Sequence, residues 1–214
     1  MTEAIVFDFG GVLFNWQPAV LLQTLLPHRI QSGDQAAAWT ERVFQSFVPG
    51  ADWSEFDRGV LSAGETCQRI ATRTGLPAEE IQLVMEAIPR HLAPIQPTVD
   101  WLQRLAQQGV PLYFLSNMPR PYAEHLLAHH PFLKTFQAGV FSCDVQQVKP
   151  DAAIFQTTAQ RLGLDVSRTV FIDDHPRNVE TACALGWRAV QFDSAPGCEG
   201  ALRERGWLPT PQLR

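Results

Sequence analysis

TVFIDDHPRNVETACALGWRAVQF, residues 169–192, decides the fold class. It opens on a short apolar run (169–172) and breaks at Asp173-Asp174. A helical pattern (178–185) follows, stops at Gly186, and gives way to a second apolar run (188–192). Apolar runs of four or five residues bounded by turn residues suit strands buried on both faces. A glycine just past a helical pattern supplies the left-handed residue on which many helices end. Two strands joined through one helix lie parallel. The unit recurs upstream, with apolar runs at 4–7, 110–115 and 138–141 and helical patterns at 98–108 and 151–162 that stop at Gly109 and Gly163. Pro150-Asp151 is expected to open the last of these. The alternation predicts an α/β fold, a doubly wound parallel sheet with a Rossmann-like core.

One interval breaks this rhythm. Asp8 to Val110 is far more chain than one crossover needs, and its patterns are helical, at 18–26, 35–46, 62–73 and 78–88. Ser62-Ala63-Gly64-Glu65 has the spacing of a capping box. A structureless loop of that length is improbable in a compact domain. The expected organisation is an α/β core from residues 1–14 and 95–214, with a helical cap inserted at 15–94.

Composition narrows the function classes. The 214 residues carry 17 Lys+Arg against 22 Asp+Glu, a net charge of −5, without a basic cluster. Nucleic acid and anionic membrane surfaces are therefore not expected partners. No stretch reaches the roughly 18 apolar residues of a membrane helix. The opening MTEAIVFDFGGVLF lacks a basic leader, and its apolar run is broken by Asp8 and two glycines, so no signal peptide is expected. Cys67, Cys143, Cys183 and Cys198 form no CxxC pair and read as free thiols, which suits a reducing, cytoplasmic setting.

Ligands of parallel sheets bind beyond the carboxyl ends of the strands. The predicted strands end at Asp8 (followed by Phe9-Gly10-Gly11), at Ser116-Asn117 and at Asp173-Asp174, with Lys149 in the loop after the third. Three converging carboxylates repel one another unless a cation joins them. An all-oxygen set with few carboxylates selects a hard ion, Mg²⁺ before Ca²⁺. The Ser116 hydroxyl, the Asn117 amide or backbone N–H and the Lys149 ammonium supply donors for an anion with several oxygens. A metal beside such donors describes a phosphate ester, with Asp8 as nucleophile.

The segments FDFGGVL, FLSN, VKPDAAIF and FIDDHPRNVETACALGW, in this order, resemble the four motifs of the haloacid dehalogenase superfamily of phosphatases. Within it the sequence is similar to the bacterial sugar-1-phosphate phosphatases and to the phosphatase domain of soluble epoxide hydrolase. The resemblance implies a helical cap after the first strand and a small phosphorylated metabolite, plausibly a sugar phosphate, as substrate. It also implies that Asp8 is nucleophile and metal ligand, that the Gly10 carbonyl and Asp174 bind Mg²⁺ directly, and that Asp173 acts through water. Ser116, Asn117 and Lys149 match the phosphate-binding positions, Lys149 as part of the catalytic set.

Gly10 departs from the pattern. Most phosphatases of the superfamily carry an acid–base aspartate there, and a positioned group of that kind contributes roughly 10²–10⁴-fold. The insertion offers Asp57 as a substitute. Two alternatives stay open: a haloacid dehalogenase, and a non-catalytic or regulatory binding protein on the same scaffold. His175, His129, His130 and Arg120 read as solvated surface residues, and Asn178 either caps its own helix or orients the Asp173-Asp174 loop. Trp39, Phe44, Phe47, Trp53 and Phe56 read as core of the insertion.

Overall fold

The computed structural model describes residues 4–46 and 48–208. Five parallel strands, β1 (Ala4–Phe7), β2 (Leu112–Ser116), β3 (Ala138–Phe141), β4 (Thr169–Asp173) and β5 (Arg188–Gln191), form one sheet in the order β3-β2-β1-β4-β5. Phe7 pairs with Phe114 on one side and Ile172 on the other, so β1 is central. All four of its residues are buried, which explains the unbroken apolar run. Successive side chains point to opposite faces. Ile5 and Phe7 join a cluster with Trp101, Leu102 and Leu105 of α6 (Gln96–Gln107). Val6 joins the other cluster, with Ile154 and Phe155 of α9 (Ala152–Leu162) and Ala182 of α10 (Pro176–Ala184).

β1 and β2 are separated by α1 (Pro18–Leu25), α2 (Gly33–Phe44), α3 (Asp52–Asp57), α4 (Ala63–Thr74), α5 (Ala78–His91) and α6. The chain leaves and re-enters the core along two hydrogen-bonded segments, with Asn15 N–H donating to Ala93 O (2.8 Å) and Ile95 N–H to Leu13 O (2.8 Å). Both bonds of the Ser62–Glu65 capping box are present. Phe44 and Phe56 are buried among the inserted helices, while Phe47 lies outside the described residues. No helix among the described residues is long and apolar enough to cross a membrane.

Several elements differ from the sequence expectation. β2 begins at Leu112, because Val110 N–H still closes the end of α6 on Leu105 O. Pro150 does not open α9; Asp151 is its N-cap, and Lys149-Pro150 is a cis peptide just before it. Three helices lacked a readable pattern. α3 has six residues, too few for periodicity; α7 (Arg120–His129) has Pro121 in its first turn; α11 (Ala195–Glu204) has Pro196, Gly197 and Gly200. His130 is packed edge-on against Phe14 (5.0 Å between ring centres), so it is not a solvated residue.

Candidate active site

Sheet order places the opposed crossovers beside β1, and the crevice opens between β1 and β4. Asp8 follows β1 and its N–H donates to Ile172 O (2.9 Å), which extends the β1–β4 register by one rung. That rung sets Asp8 beside Asp173. Lys149 arrives from the loop before α9, clamped by Asn117: the side-chain amide donates to Lys149 O (3.0 Å) and the side-chain carbonyl accepts from Lys149 N–H (2.8 Å). The ammonium, only 2% exposed at its side chain, lies 2.7 Å from Asp8 Oδ1 and 2.6 Å from Asp173 Oδ2. An ammonium has three N–H donors, so one remains for an incoming anion.

Asp173 is completely buried and its oxygens are fully engaged. Asn178 Nδ2 donates to both (2.9 and 3.0 Å), His175 N–H donates to Oδ1 (2.9 Å), and Lys149 takes Oδ2. Asn178 therefore orients the Asp173-Asp174 turn, which settles its two sequence readings. Asp174 is the exposed member. A Cβ on Gly11, whose φ is +72°, would lie 2.2 Å from Asp174 Oδ2, so only glycine fits under that carboxylate. Gly10 is different: its φ is not positive, and an added Cβ would stand 3.6 Å from Trp16 Cβ, an ordinary contact.

Asp8, Asp173 and Asp174 each bring an oxygen within 4.8 Å of the others. One ammonium faces these three carboxylates, and the charge is not balanced. Burial pushes the Asp8 carboxyl up to about 8; Lys149 pulls it down, while Asp173 and Asp174 push it further up. Asp174 is exposed as a residue, but partial desolvation of its carboxyl, together with Asp173, raises it to about 6. Lys149 is shifted upward, its burial outweighed by Asp173 and Asp8. A cluster of hard oxygen donors that retains protons for want of positive charge fits a divalent cation, and Mg²⁺ suits a set so poor in protein ligands.

A cavity of about 370 Å³ opens over the cluster. Asp8, Gly10, Asn117, Lys149 and Asp174 line its core side; Trp16, Phe44, Trp53 and Asp57 line the side of the inserted helices. Trp16 meets Phe44 edge-on (5.3 Å), and Phe44 meets Trp53 (4.7 Å), so these rings are packed core and cavity wall at once. Ser116, buried at the end of β2, is not among the lining residues, and the Asn117 side chain is occupied with Lys149. Arg120 is half exposed and paired with Asp144 (2.6 Å), away from the lining. His175 does line the cavity, its Nδ1 accepting from Arg177 N–H (3.3 Å) at the start of α10. The Asp57 carboxyl, pushed up to about 8 by burial, feels the opposing fields of Lys149 and Asp8.

Known proteins resemble the chain in sequence and in fold. The chain is 27% identical over 198 residues to a sesquiterpene phosphatase of Aspergillus oryzae, covering 92% of this chain and 93% of that one. It is 24% identical to phosphoglycolate phosphatase of Escherichia coli strain K12, over 88% of this chain and 80% of the other. The fold superposes on a Bacteroides thetaiotaomicron enzyme solved with magnesium and inorganic phosphate (TM-score 0.70, 19% identity, 91% and 96% of the two chains). It also superposes on the L-2-haloacid dehalogenase of Xanthobacter autotrophicus (TM-score 0.67, 18% identity, 98% and 85%). Residues 2–186 match the model of the haloacid dehalogenase-like hydrolases, and the chain belongs to that family.

Proposed function

We propose that the protein is a Mg²⁺-dependent phosphatase of a small phosphorylated metabolite, plausibly a sugar phosphate, working through an aspartyl-phosphate at Asp8. The observation that carries this reading is the convergence of three carboxylates and one ammonium on a cavity-facing Asp8. The phosphatases among its relatives support it, as does the magnesium and phosphate held by a similar fold.

Lys149 holds Asp8 Oδ1, so Oδ2 is the oxygen presented for attack on phosphorus, and the remaining Lys149 donor steadies the phosphoryl group beside Asn117, which lines the cavity while Ser116 lies behind it. Asp8, Asp174 and the Gly10 carbonyl would hold Mg²⁺ directly, and Asp173, whose oxygens are already engaged, through water. The ion would neutralise charge on the phosphoryl oxygens and on the carboxylates. In this reading residues 15–94 are a cap over a core of 1–14 and 95–214, and the four free thiols suit the cytoplasm.

A dehalogenase needs no cation, and an uncompensated carboxylate cluster would repel a halocarboxylate. The test is phosphate and halide release from a panel of phosphomonoesters and 2-haloacids, with Mg²⁺ and with EDTA. Phosphate release that EDTA abolishes is the expected result; halide release, or phosphate release indifferent to EDTA, overturns the reading. Silence across the panel would leave the scaffold as a binding protein.

A further inference from the structure

Breaking a phosphate ester at Asp8 has a proton problem that the core residues do not solve. The departing oxygen must gain a proton, and the water that later attacks the aspartyl-phosphate must lose one. Asp8 is committed as nucleophile, Lys149 to the carboxylates it bridges, and Asp174 to the cation. Asp151 at the cavity edge is exposed and paired with Arg58 (3.0 Å). His175 caps α10 through Nδ1.

One carboxyl remains. Asp57, the last residue of α3, lines the same cavity as Asp8 but comes from the inserted helices, and its carboxylate makes no hydrogen bond or ion pair among the described residues. Its backbone is firmly placed. Ser142 Oγ donates to Asp57 O (2.5 Å) and accepts from Met118 N–H (2.8 Å), tying the end of α3 to the loop after β2 and to the short helix, Ser142–Val145, that follows β3. Two residues on, a Cβ on Gly59 would stand 3.2 Å from Cys143 Cβ, so the chain lies directly against the core there. A side chain that is free while its backbone is fixed on both sides of a cavity is free for a ligand.

We propose, resting on the phosphatase reading, that Asp57 is the acid–base residue of this enzyme, supplied from the inserted helices to the leaving-group side of the substrate. Asp8 Oδ2 attacks phosphorus, the bond from phosphorus to the alcohol oxygen breaks, and Asp57 gives its proton to that oxygen. Water then attacks phosphorus and yields a proton to the Asp57 carboxylate, and the bond from phosphorus to Asp8 breaks. The sum is ester plus water giving alcohol plus inorganic phosphate, with both aspartates restored. Burial at the cavity wall favours the protonated form of Asp57 before attack.

The test compares wild type, Asp57→Asn, Gly10→Asp, their double variant and Asp8→Asn, with Mg²⁺, on alkyl phosphates and on p-nitrophenyl phosphate. Asp57→Asn should slow alkyl phosphate turnover by roughly 10²–10⁴-fold. With p-nitrophenyl phosphate, whose leaving group needs no proton, it should give a burst of about one nitrophenolate per enzyme, then slow turnover as the aspartyl-phosphate accumulates. Gly10→Asp restores a carboxyl where a Cβ has room, and should recover part of the alkyl rate in the Asp57→Asn background. Circular dichroism checks folding, and Asp57→Ala repeats the test. An unchanged alkyl rate with no burst in Asp57→Asn, while wild type needs Asp8, overturns the Asp57 assignment alone. A wild type without Asp8-dependent phosphate release overturns the phosphatase reading and this inference with it.

Discussion

The two walls of the cavity are built by different physics. On the core side, each polar group is fixed by sheet register or a hydrogen bond: Asp8 by the rung to Ile172, Lys149 by Asn117, Asp173 by Asn178 and His175. On the other side, Trp16, Phe44 and Trp53 are placed by ring packing, and Asp57 by a backbone contact from Ser142. Core positions are set along a strand, where one residue changes everything. Those of the insertion depend on how short helices happen to pack. The core wall should therefore break abruptly under substitution, and the inserted wall should yield gradually.

The largest break is expected at Asp8. Asp8→Asn is nearly isosteric but removes the nucleophile, and phosphate release should fall on the order of 10⁴–10⁶-fold, in the range seen when a nucleophile is deleted. Beryllofluoride should add a phosphoryl mimic to wild-type Asp8 and not to the variant, read by mass or by fluorine resonance. Substantial turnover by the Asn variant would remove Asp8 from the chemistry.

Asp173 and Asp174, adjacent in sequence, should fail in different ways. Asp173→Ala takes one of two carboxylate partners from the buried Lys149 ammonium and leaves the Asn178 amide unpaired, a loss of about 1–3 kcal/mol, which at ~2–4 °C per kcal/mol in a chain of this size lowers Tm by several degrees. Asp174→Ala removes an exposed member of a repelling cluster, so Tm measured in EDTA should hold or rise, while the Mg²⁺ needed for half-maximal activity climbs. The measurement is thermal unfolding beside a Mg²⁺ titration for both variants. Equal behaviour in both assays would mean that the two carboxylates share one role.

The core wall was legible because it lies where strands end. Asp8, Asp173-Asp174 and Lys149 could be picked from short apolar runs and the loops behind them, and β1 and β3 run over the residues that the sequence predicts. What escaped was contact. Nothing in the string reveals that Asn117 is spent on the Lys149 backbone, or that Ser116 sits outside the cavity lining. The inserted wall was less legible still. α3 is too short for a period, and Trp16 precedes the first inserted helix, so neither Asp57 nor that ring announces its side of the cavity. For Asp57 the available signal was negative, a missing carboxyl at Gly10.

A pH series sharpens the contrast at smaller amplitude. Asp8 and Asp57 rise from an ordinary 3.8 to about 8, and Asp174 to about 6. The folded chain thus keeps protons that the unfolded chain has released, and by linkage each group weakens the fold as pH climbs from its unfolded value to its folded one. In EDTA, Tm should fall steadily between pH 5 and pH 8. Saturating Mg²⁺ should remove the contribution of the cluster and leave that of Asp57, which a repeat with Asp57→Asn then isolates. A metal-free Tm that rises over this window would show that the cluster is not short of positive charge.

The smallest expected effect is at the seam between the walls. Arg58 of the inserted region reaches Asp151 at the start of α9 (3.0 Å), with the two side chains 29% and 53% exposed. Water screens such a pair, and a double-mutant cycle through Arg58→Ala and Asp151→Ala should return about 0.2–1 kcal/mol of coupling. The other ties across the seam are stronger: Tyr122 Oη donates to Met85 O (2.8 Å) in a buried bond, and Ser142 holds Asp57 O. Arg58→Ala should therefore leave Tm within a degree or two and change KM more than kcat, because it loosens the cavity mouth without moving Asp57. Tyr122→Phe removes a bond of about 1 kcal/mol whose carbonyl is then buried without a partner, and should cost more stability than the whole ion pair. If the cycle instead returned several kcal/mol, or if Arg58→Ala lowered kcat as much as Asp57→Asn, the inserted wall would be held as rigidly as the strand ends. The contrast between the two walls would then fail at a place where they touch through an ion pair.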